Sequence, residues 1–315
     1  MKKFAFALVA LLMSIGVTYA QTLDEATAKY TSAVEKVKAQ DFAAAIPLLK
    51  EAMNKSIDAG DEGAELTKEV QKLLPMVYLQ LGVTQFKEKK FDEAIQSLTT
   101  AEEMADLYNN VNIRRQASRV ISGIYMSQGI ELFNTKDYAG ALEIFKKGYA
   151  QDNSNIKLAS FTAKAYAELG QLDQAVPLFN DVIEKGSTNS RYAQDAEQAK
   201  IDLDNYVLVG VSSAAEAKDI DKAIALADLV PADPKASLLV IQAANNAKKF
   251  DVVIARGDKT AELQSDAALK GDVNYFIGMA YNGKENKAKA IEYLTKVTAG
   301  QYAGTAKAAV AELKK

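Results

Sequence analysis

The chain has no cysteine, no histidine and no tryptophan among its 315 residues, and only 5 prolines. Without histidine there can be no Ser–His–Asp triad and no imidazole metal site. Without cysteine there is no thiol nucleophile, no thiolate zinc site and no disulfide, so stability must come from packing. The side chains that remain for chemistry are carboxylates, lysine, serine and tyrosine. We therefore expect no enzyme, no cofactor and no bound metal.

The chain also lacks an excess of positive charge, with 38 Lys and Arg against 41 Asp and Glu and a net charge of −3. A nucleic-acid binder needs a basic footprint, which this composition lacks. The hydrophobic fraction of 49% is ample for a core. Protein or peptide partners are therefore favoured over nucleic acid.

Residues 1–20 form a separate segment. Lys2 and Lys3 precede an apolar run, and Thr18 and Ala20 are the small residues before a predicted cleavage at Gln21. The run is shorter than the ~20 residues that a membrane-spanning helix needs. This pattern predicts a signal peptide and no membrane span after its removal. We expect export to the bacterial periplasm, with the cell exterior as the alternative.

One ten-residue phrase occurs seven times, beginning at residues 40, 89, 136, 170, 218, 248 and 285. Each copy repeats an apolar pattern at i, i+3, i+4 and i+7, as in KKFDEAIQSL from residue 89, which predicts one buried helical stripe. Asp92, Asp173, Asp221 and Asp251 follow the first apolar residue, and we predict that they cap the helix, with that apolar residue as a staple.

A second helix is predicted before each phrase. Small residues stand twelve positions before the alanine of the phrase, as Gly129 stands before Ala141 and Gly278 before Ala290. Small side chains at both positions predict two helices that cross closely. The repeated unit is therefore predicted to be an antiparallel helical hairpin.

This pattern resembles the tetratricopeptide repeat family, whose 34-residue unit carries a large residue, Leu-Gly and Tyr in its first helix and two alanines around an aromatic residue in its second. The matching positions are Tyr78, Leu81, Gly82, Ala94 and Ala101, then Tyr125, Gly129, Ala141 and Phe145, then Ala163, Tyr166, Ala175 and Phe179, and near the end Gly278, Tyr281 and Ala290. The resemblance implies an all-α, right-handed superhelical solenoid of about seven hairpins, of the exported bacterial envelope type.

The hairpins are predicted near 26–59, 75–108, 122–155, 156–189, 204–234, 235–269 and 271–304, with a capping helix at 303–315. Several repeats are longer than 34 residues. The additional sequence lies at 60–74, 109–122 and 186–203, and we interpret it as lengthened first helices. No linker in 21–315 indicates a second domain.

Two motifs have alternative interpretations. GMAYNGKE, from Gly278 to Glu285, resembles a phosphate-binding loop but has Glu285 where Ser or Thr would hold magnesium. We favour Gly278 as a helix-crossing residue and Gly283 as a helix C-cap. Asp58, Glu62 and Glu69 have the spacing of a calcium loop, but Gly60 supplies no ligand at its third position. We favour a polar linker there.

The resemblance also implies that first-helix residues line a concave, partner-binding face. The candidate residues are Leu79, Phe86, Met126, Phe133, Lys157, Lys164 and Tyr275. The early members are apolar, so either the lengthened helices bury them, which we favour, or they form an open channel. Arg115 and Arg119 share a helix face, and either bind a carboxylate or phosphate or, as we favour, pair with nearby acids.

The predicted function is a non-catalytic, exported scaffold that binds a protein or peptide, in a cell-envelope assembly. The alternatives are a glycan-acting enzyme, which would need paired carboxylates ~5–10 Å apart in a cleft, and an envelope carrier.

Overall fold

The computed structural model describes residues 21–315, and the predicted signal peptide, residues 1–20, lies outside the described residues. The described residues form helices and turns and contain no strand. The helices are α1 (21–38), α2 (Phe42–Asp58), α3 (Ala64–Lys87), α4 (Phe91–Leu107), α5 (Val111–Asn134), α6 (Tyr138–Gln151), α7 (Ile156–Glu168), α8 (Leu172–Thr188), α9 (Ala193–Glu216), α10 (Ile220–Ala227), α11 (Pro234–Asn246), α12 (Phe250–Leu263), α13 (Ala267–Gly283), α14 (Lys287–Thr295) and α15 (Ala303–Leu313). Short 3-10 helices precede α3 and α9, at Gly60–Gly63 and Ser190–Tyr192.

The described residues divide into two compact units, 21–158 and 159–315. In the first unit, the helices from α2 to α6 each pack against the next. In the second, α8 packs on α9, α11 on α12, α12 on α13 and α13 on α14, and α15 covers α14. The predicted all-α array of helical hairpins is confirmed. No helix in the described residues is both long and apolar enough to cross a membrane.

The two helices of each hairpin are joined by the same turn. A residue with positive φ precedes each second helix, and these residues are Gln40, Lys89, Lys136, Gly170, Lys218, Lys248 and Glu285. At the third turn the N–H of Lys136 donates to the carbonyl of Phe133 and the N–H of Asp137 to that of Leu132, both at 3.0 Å. This is the Schellman pattern, which satisfies the carbonyls at the end of the first helix. The repeated phrase therefore begins at its left-handed residue.

The predicted N-caps are wrong by two residues. Each second helix begins at the third position of the phrase, which is apolar in every copy but the last, where α14 begins at Lys287, so the residue before it is the cap. Asp137 fills this role in α6, where its carboxylate accepts from the N–H of Gly140 at 3.0 Å. Asp92 lies in the first turn of α4 instead, and Asp173, Asp221 and Asp251 lie in the first turns of α8, α10 and α12. At these positions the negative carboxylates stabilise the helices by interacting with the positive, N-terminal end of the helix dipole.

The lengthened first helices are confirmed. Helices α3, α5 and α9 each have 24 residues, whereas α7 and α11 have 13. The additional segment 109–122 forms the start of α5, and 186–203 includes the start of α9. These additional turns extend single hairpins and leave the turn between the two helices unchanged.

Glycines mark the predicted helix crossings. A β-carbon added to Gly129 would lie 2.3 Å from Cε1 of Phe145, and one added to Gly278 would lie 2.7 Å from Cγ of Leu294. Both distances are far below van der Waals contact. A large side chain from the second helix thus fills the space that each glycine leaves, and the crossing prediction is confirmed.

Each unit has its own buried side chains. In the first, α3, α4 and α5 share a cluster that includes Leu98, Ile121 and Ile124. In the second, α11, α12 and α13 enclose a cluster that includes Ile241 and Ile277. The surfaces that remain for partners are built on these packed helices.

Candidate partner-binding surfaces

Most of the apolar candidates of the first unit pack against other residues of their own hairpins. Leu79 is 3% exposed and lies in the α3–α5 cluster, so it is a core residue that a partner cannot reach. The ring of Phe86 lies 6.1 Å from that of Phe91, across the turn between α3 and α4. Phe133 makes the equivalent contact with Tyr138, at 5.1 Å. These aromatic pairs close their turns, while Met126 remains partly exposed on α5.

Lys164 is engaged in an ion pair. Its Nζ lies 2.7 Å from Oδ2 of Asp202 on α9 and 5.7 Å from the ring centroid of Phe161. Lys157, near the start of α7, is exposed. Lys164 therefore connects α7 and α9, the first helices of two consecutive hairpins. Of the two candidate lysines, only Lys157 is exposed to solvent.

Tyr275 anchors the last helix. Its ring stacks on that of Tyr302 with centroids 4.3 Å apart and planes 4° apart, and Phe276 meets Tyr302 edge-on at 5.2 Å. Burial raises the pKa of the Tyr275 hydroxyl, and Tyr302 adds to this effect. Tyr302 directly precedes α15. Tyr275 thus faces the capping segment of its own chain.

Arg115 and Arg119 lie together at a pocket of about 310 Å³ on the first unit. The pocket is lined by Arg114, Arg115, Ser118, Arg119, Gln151, Asp152, Asn153 and Ser154. Arg114 pairs with Asp106, at 3.1 Å from Nε to the carboxylate. Among the described residues neither Arg115 nor Arg119 forms an ion pair, so neither has the acidic partner that the favoured interpretation gave it.

A groove between α9 and α11 was missed at the sequence level. It has a volume of about 640 Å³ and is lined by Ser212, Ala215, Glu216, Lys218, Leu239, Gln242, Ala243, Asn246 and Ala247. Helices α9 and α11 are the first helices of consecutive hairpins and contact each other directly. The signal was weak because the repeats near Ala223 and Val253 match the family pattern only in their second helices.

The polar side chains of this α9–α11 groove have unused hydrogen-bonding capacity. Ser212, Gln242 and Asn246 form no side-chain hydrogen bond with any residue that the structure describes. Leu239 and Ala243 add apolar surface between them. An amide side chain both donates and accepts, so this arrangement suits a ligand with alternating donors and acceptors.

A second cavity, of about 570 Å³, lies among α7, α9 and α10. Its rim includes Val209, which is 66% exposed, and Tyr206, whose hydroxyl donates to Glu168 at 2.8 Å. Because this donor and acceptor already satisfy each other, the cavity offers fewer free polar groups than the α9–α11 groove.

The two alternative motifs take helical structure. Gly278 lies inside α13, and Glu285 has the positive φ of the following turn. The prediction that Gly283 is the helix C-cap is wrong by one residue, since Gly283 is the last residue of α13 and Lys284 is the cap. Gly283 packs against the ring of Phe250. Across residues 21–315, no three acidic side chains come close enough to hold a metal ion together.

Comparison with known families agrees with the hairpin geometry. Two tetratricopeptide repeat models match, one over residues 132–199 and the other over 77–106 and 271–299. These segments are similar to tetratricopeptide repeats. Repeats of this kind support a role as a protein-interaction scaffold. The comparison with curated proteins gives no match.

The chain is also similar, at low identity, to solved structures. A tetratricopeptide repeat protein from Parabacteroides merdae is 14% identical, with 94% of this chain and 100% of that chain covered and a TM-score of 0.28. The C-terminal part of a repeat-containing protein from Cytophaga hutchinsonii is 16% identical, with 85% and 94% covered and a TM-score of 0.31. A thermophilic repeat protein from Thermus thermophilus is 11% identical, with 61% and 98% covered and a TM-score of 0.25.

Proposed function

We propose that the protein is an exported, non-catalytic scaffold that holds an extended segment of a protein partner in the α9–α11 groove, within a cell-envelope assembly. The observation that carries this proposal is the set of three polar side chains, Ser212, Gln242 and Asn246, that line the groove without hydrogen-bond partners among the described residues. The volume of about 640 Å³ lies within the range of ~300–1,000 Å³ that is typical of ligand clefts.

An extended peptide fits the chemistry of this groove. Its backbone presents an N–H and a C=O at each residue, and the amides of Gln242 and Asn246 can bind both. The two residues are one helical turn apart on α11, roughly 5–6 Å, so they can contact every second residue of one extended strand. Leu239 and Ala243 offer apolar contact to a side chain of the partner. Recognition through backbone groups tolerates variation in the partner's sequence.

Site-specific photocrosslinking in living cells tests the groove. A benzophenone amino acid at Gln242 should give a discrete adduct with one partner. The matched control carries the same group at Glu262, which is exposed on α12 outside the groove. An adduct from both positions, or from neither, contradicts the proposal.

Export is supported by the sequence of residues 1–20. Osmotic-shock fractionation should release the protein with the periplasmic contents, and N-terminal sequencing of the product should begin at Gln21. A product that retains Met1 and stays with the cytoplasmic fraction would overturn this part of the proposal while leaving the groove untouched.

A further inference from the structure

The pocket at Arg115 and Arg119 belongs to the added part of a first helix. Both arginines lie in the segment 109–122, which lengthens α5 beyond the ordinary repeat. The opposite wall is the end of α6 and the loop after it, from Gln151 to Ser154. This surface therefore differs in position and composition from the α9–α11 groove.

The side chains of Arg115 and Arg119 lie on the same face of α5. They are four residues apart on α5 and are both exposed, so their guanidinium groups lie on the same face one turn apart. The chain has five arginines in all, and three of them line this pocket. A guanidinium fork can hold a carboxylate through two parallel hydrogen bonds.

The acids around the pocket are already engaged. Asp152 accepts from the N–H of Ser154 at 3.1 Å and from its hydroxyl at 2.5 Å. The Gln151 side chain donates to both oxygens of Glu102, at 2.7 and 2.9 Å, and the Ser118 hydroxyl also donates to Glu102. These hydrogen bonds hold the local carboxylates to their own polar neighbours, and in residues 21–315 neither Glu102 nor Asp152 forms an ion pair with Arg115 or Arg119.

Two large exposed apolar side chains lie close in sequence to the arginines, at the end of α4 and the start of α5. Val111 is 52% exposed and stands one helical turn before Arg115, and Leu107 at the end of α4 is 70% exposed. The ion pair between Arg114 and Asp106 holds the end of α4 near the start of α5. Leu107 and Val111 can therefore add apolar contact to a ligand that the arginines hold.

We propose that this surface, the Arg115–Arg119 pocket with Leu107 and Val111, binds an acidic segment of a protein partner. Two carboxylates of the segment pair with the two arginines, and an adjacent apolar side chain covers Leu107 and Val111. The apolar neighbours favour a peptide over a free phosphate ion, which could use only the arginines. The inference rests on the proposed role as a protein scaffold but uses a separate surface.

An unbiased peptide selection tests the inference. A displayed library of random twelve-residue peptides is selected on the mature chain, residues 21–315. We expect enrichment of sequences that place two Asp or Glu residues next to Leu, Ile or Phe. The affinity of a synthetic, fluorescently labelled winner is then measured by anisotropy at low and high salt, and it should weaken as salt rises because exposed charges are screened.

Matched variants decide the location of binding. Arg115→Ala with Arg119→Ala should weaken the winner at least tenfold, and Leu107→Ser about threefold. Arg191→Ala with Lys200→Ala removes the same charge from exposed positions on the other unit and should change affinity less than twofold. Circular dichroism confirms that each variant is folded.

Three results would overturn the inference: enrichment of peptides without acids, equal affinity for the arginine variant and the wild type, or displacement of the winner by millimolar phosphate as strongly as by free peptide. Winners that instead lose affinity with Gln242→Ala would support the α9–α11 groove and reject the arginine site. The two proposals can therefore fail separately.

Discussion

Lys164 on α7 and Asp202 on α9 form an ion pair of 2.7 Å in which the two side chains are only 24% and 16% exposed. Asp202 also accepts from Gln198 at 3.0 Å through its other oxygen. The pair joins the first helices of consecutive hairpins, and Asp202 lies in the segment that lengthens α9. A lysine that the family resemblance places on a partner-binding face therefore contributes to the structure of the second unit.

Removing Lys164 should destabilise that unit. Lys164→Met leaves the charge of Asp202 without its partner, and we expect a loss of about 1–3 kcal/mol in the free energy of unfolding, less than for a fully buried pair because some solvent reaches both groups. The double variant Lys164→Met with Asp202→Leu should recover much of this loss. Urea denaturation measures all three proteins. If Lys164→Met unfolds at the wild-type midpoint, the pair has no structural role.

Two glycines of α5 should respond in opposite ways to the same substitution. A β-carbon at Gly129 would lie 2.3 Å from Phe145, whereas one at Gly123 would meet nothing within 4 Å. Gly129→Ala should therefore cost about 1–3 kcal/mol through overpacking. Gly123→Ala should stabilise by up to about 1 kcal/mol, because alanine is the better helix former. Thermal unfolding of both variants checks the sign of each change, and two changes of the same sign would contradict the described crossing.

The left-handed turns provide another test. Lys136 has φ of 65°, and Gly170 has 73° at the equivalent turn. Lys136→Gly should raise the unfolding free energy by up to about 1 kcal/mol, since glycine adopts this conformation without strain. Gly170→Ala should lower it by a similar amount. Differential scanning calorimetry of the two variants measures both effects, and destabilisation by Lys136→Gly would argue against a left-handed residue at 136.

Alkaline pH should weaken the second unit through Tyr293. Burial raises the pKa of its hydroxyl to about 12, and the hydrogen bond to Asp258 adds to this shift. An unfolded tyrosine loses its proton near pH 10. The native state therefore holds a proton that the unfolded chain has lost, so this contribution is complete below pH 10 and is lost as pH rises from 10 to 12.

Tyr293→Phe removes this titration. The variant should show a shallower loss of stability between pH 10 and 12, with a difference in slope of at most about 1.4 kcal/mol per pH unit. Urea denaturation at several alkaline pH values measures the slope, and absorbance of tyrosinate follows the titration directly. Identical slopes for variant and wild type would show that Tyr293 does not titrate differently in the two states.

The hairpins could be predicted from the sequence because each of them follows local rules. The apolar stripe that includes Leu98 and the small residue at Gly82 depend only on helix periodicity and close crossing. The N-caps of the second helices were harder to predict. Asp92 resembles a cap, but the Schellman turn at Lys89 is so short that Lys90 is the cap and α4 starts at Phe91, two residues earlier than a cap at Asp92 predicts. A turn formed by lysine gives no signal of the kind that glycine gives.

The surfaces were less predictable than the fold. Leu79 occupies a position that faces partners in the family pattern, but the α3–α5 packing covers it. The groove residue Gln242 lies in a repeat whose first helix departs from the pattern, so no motif identified it. Arg115 and Arg119 could be placed on one helix face by spacing alone. Their lack of an acidic partner depends on where Asp152 and Glu102 direct their carboxylates, which is a tertiary property.

The unequal lengths of paired helices have a consequence for how such a chain can diversify. Helix α5 has 24 residues and its partner α6 has 14, so about 15 Å of α5 continues beyond the length that α6 can match. Because the connecting turn stays the same, residues gained at the outer end of a helix leave the neighbouring repeats in register. A single helix can thus become longer during evolution and provide a new recognition surface while the packing of the other repeats stays the same.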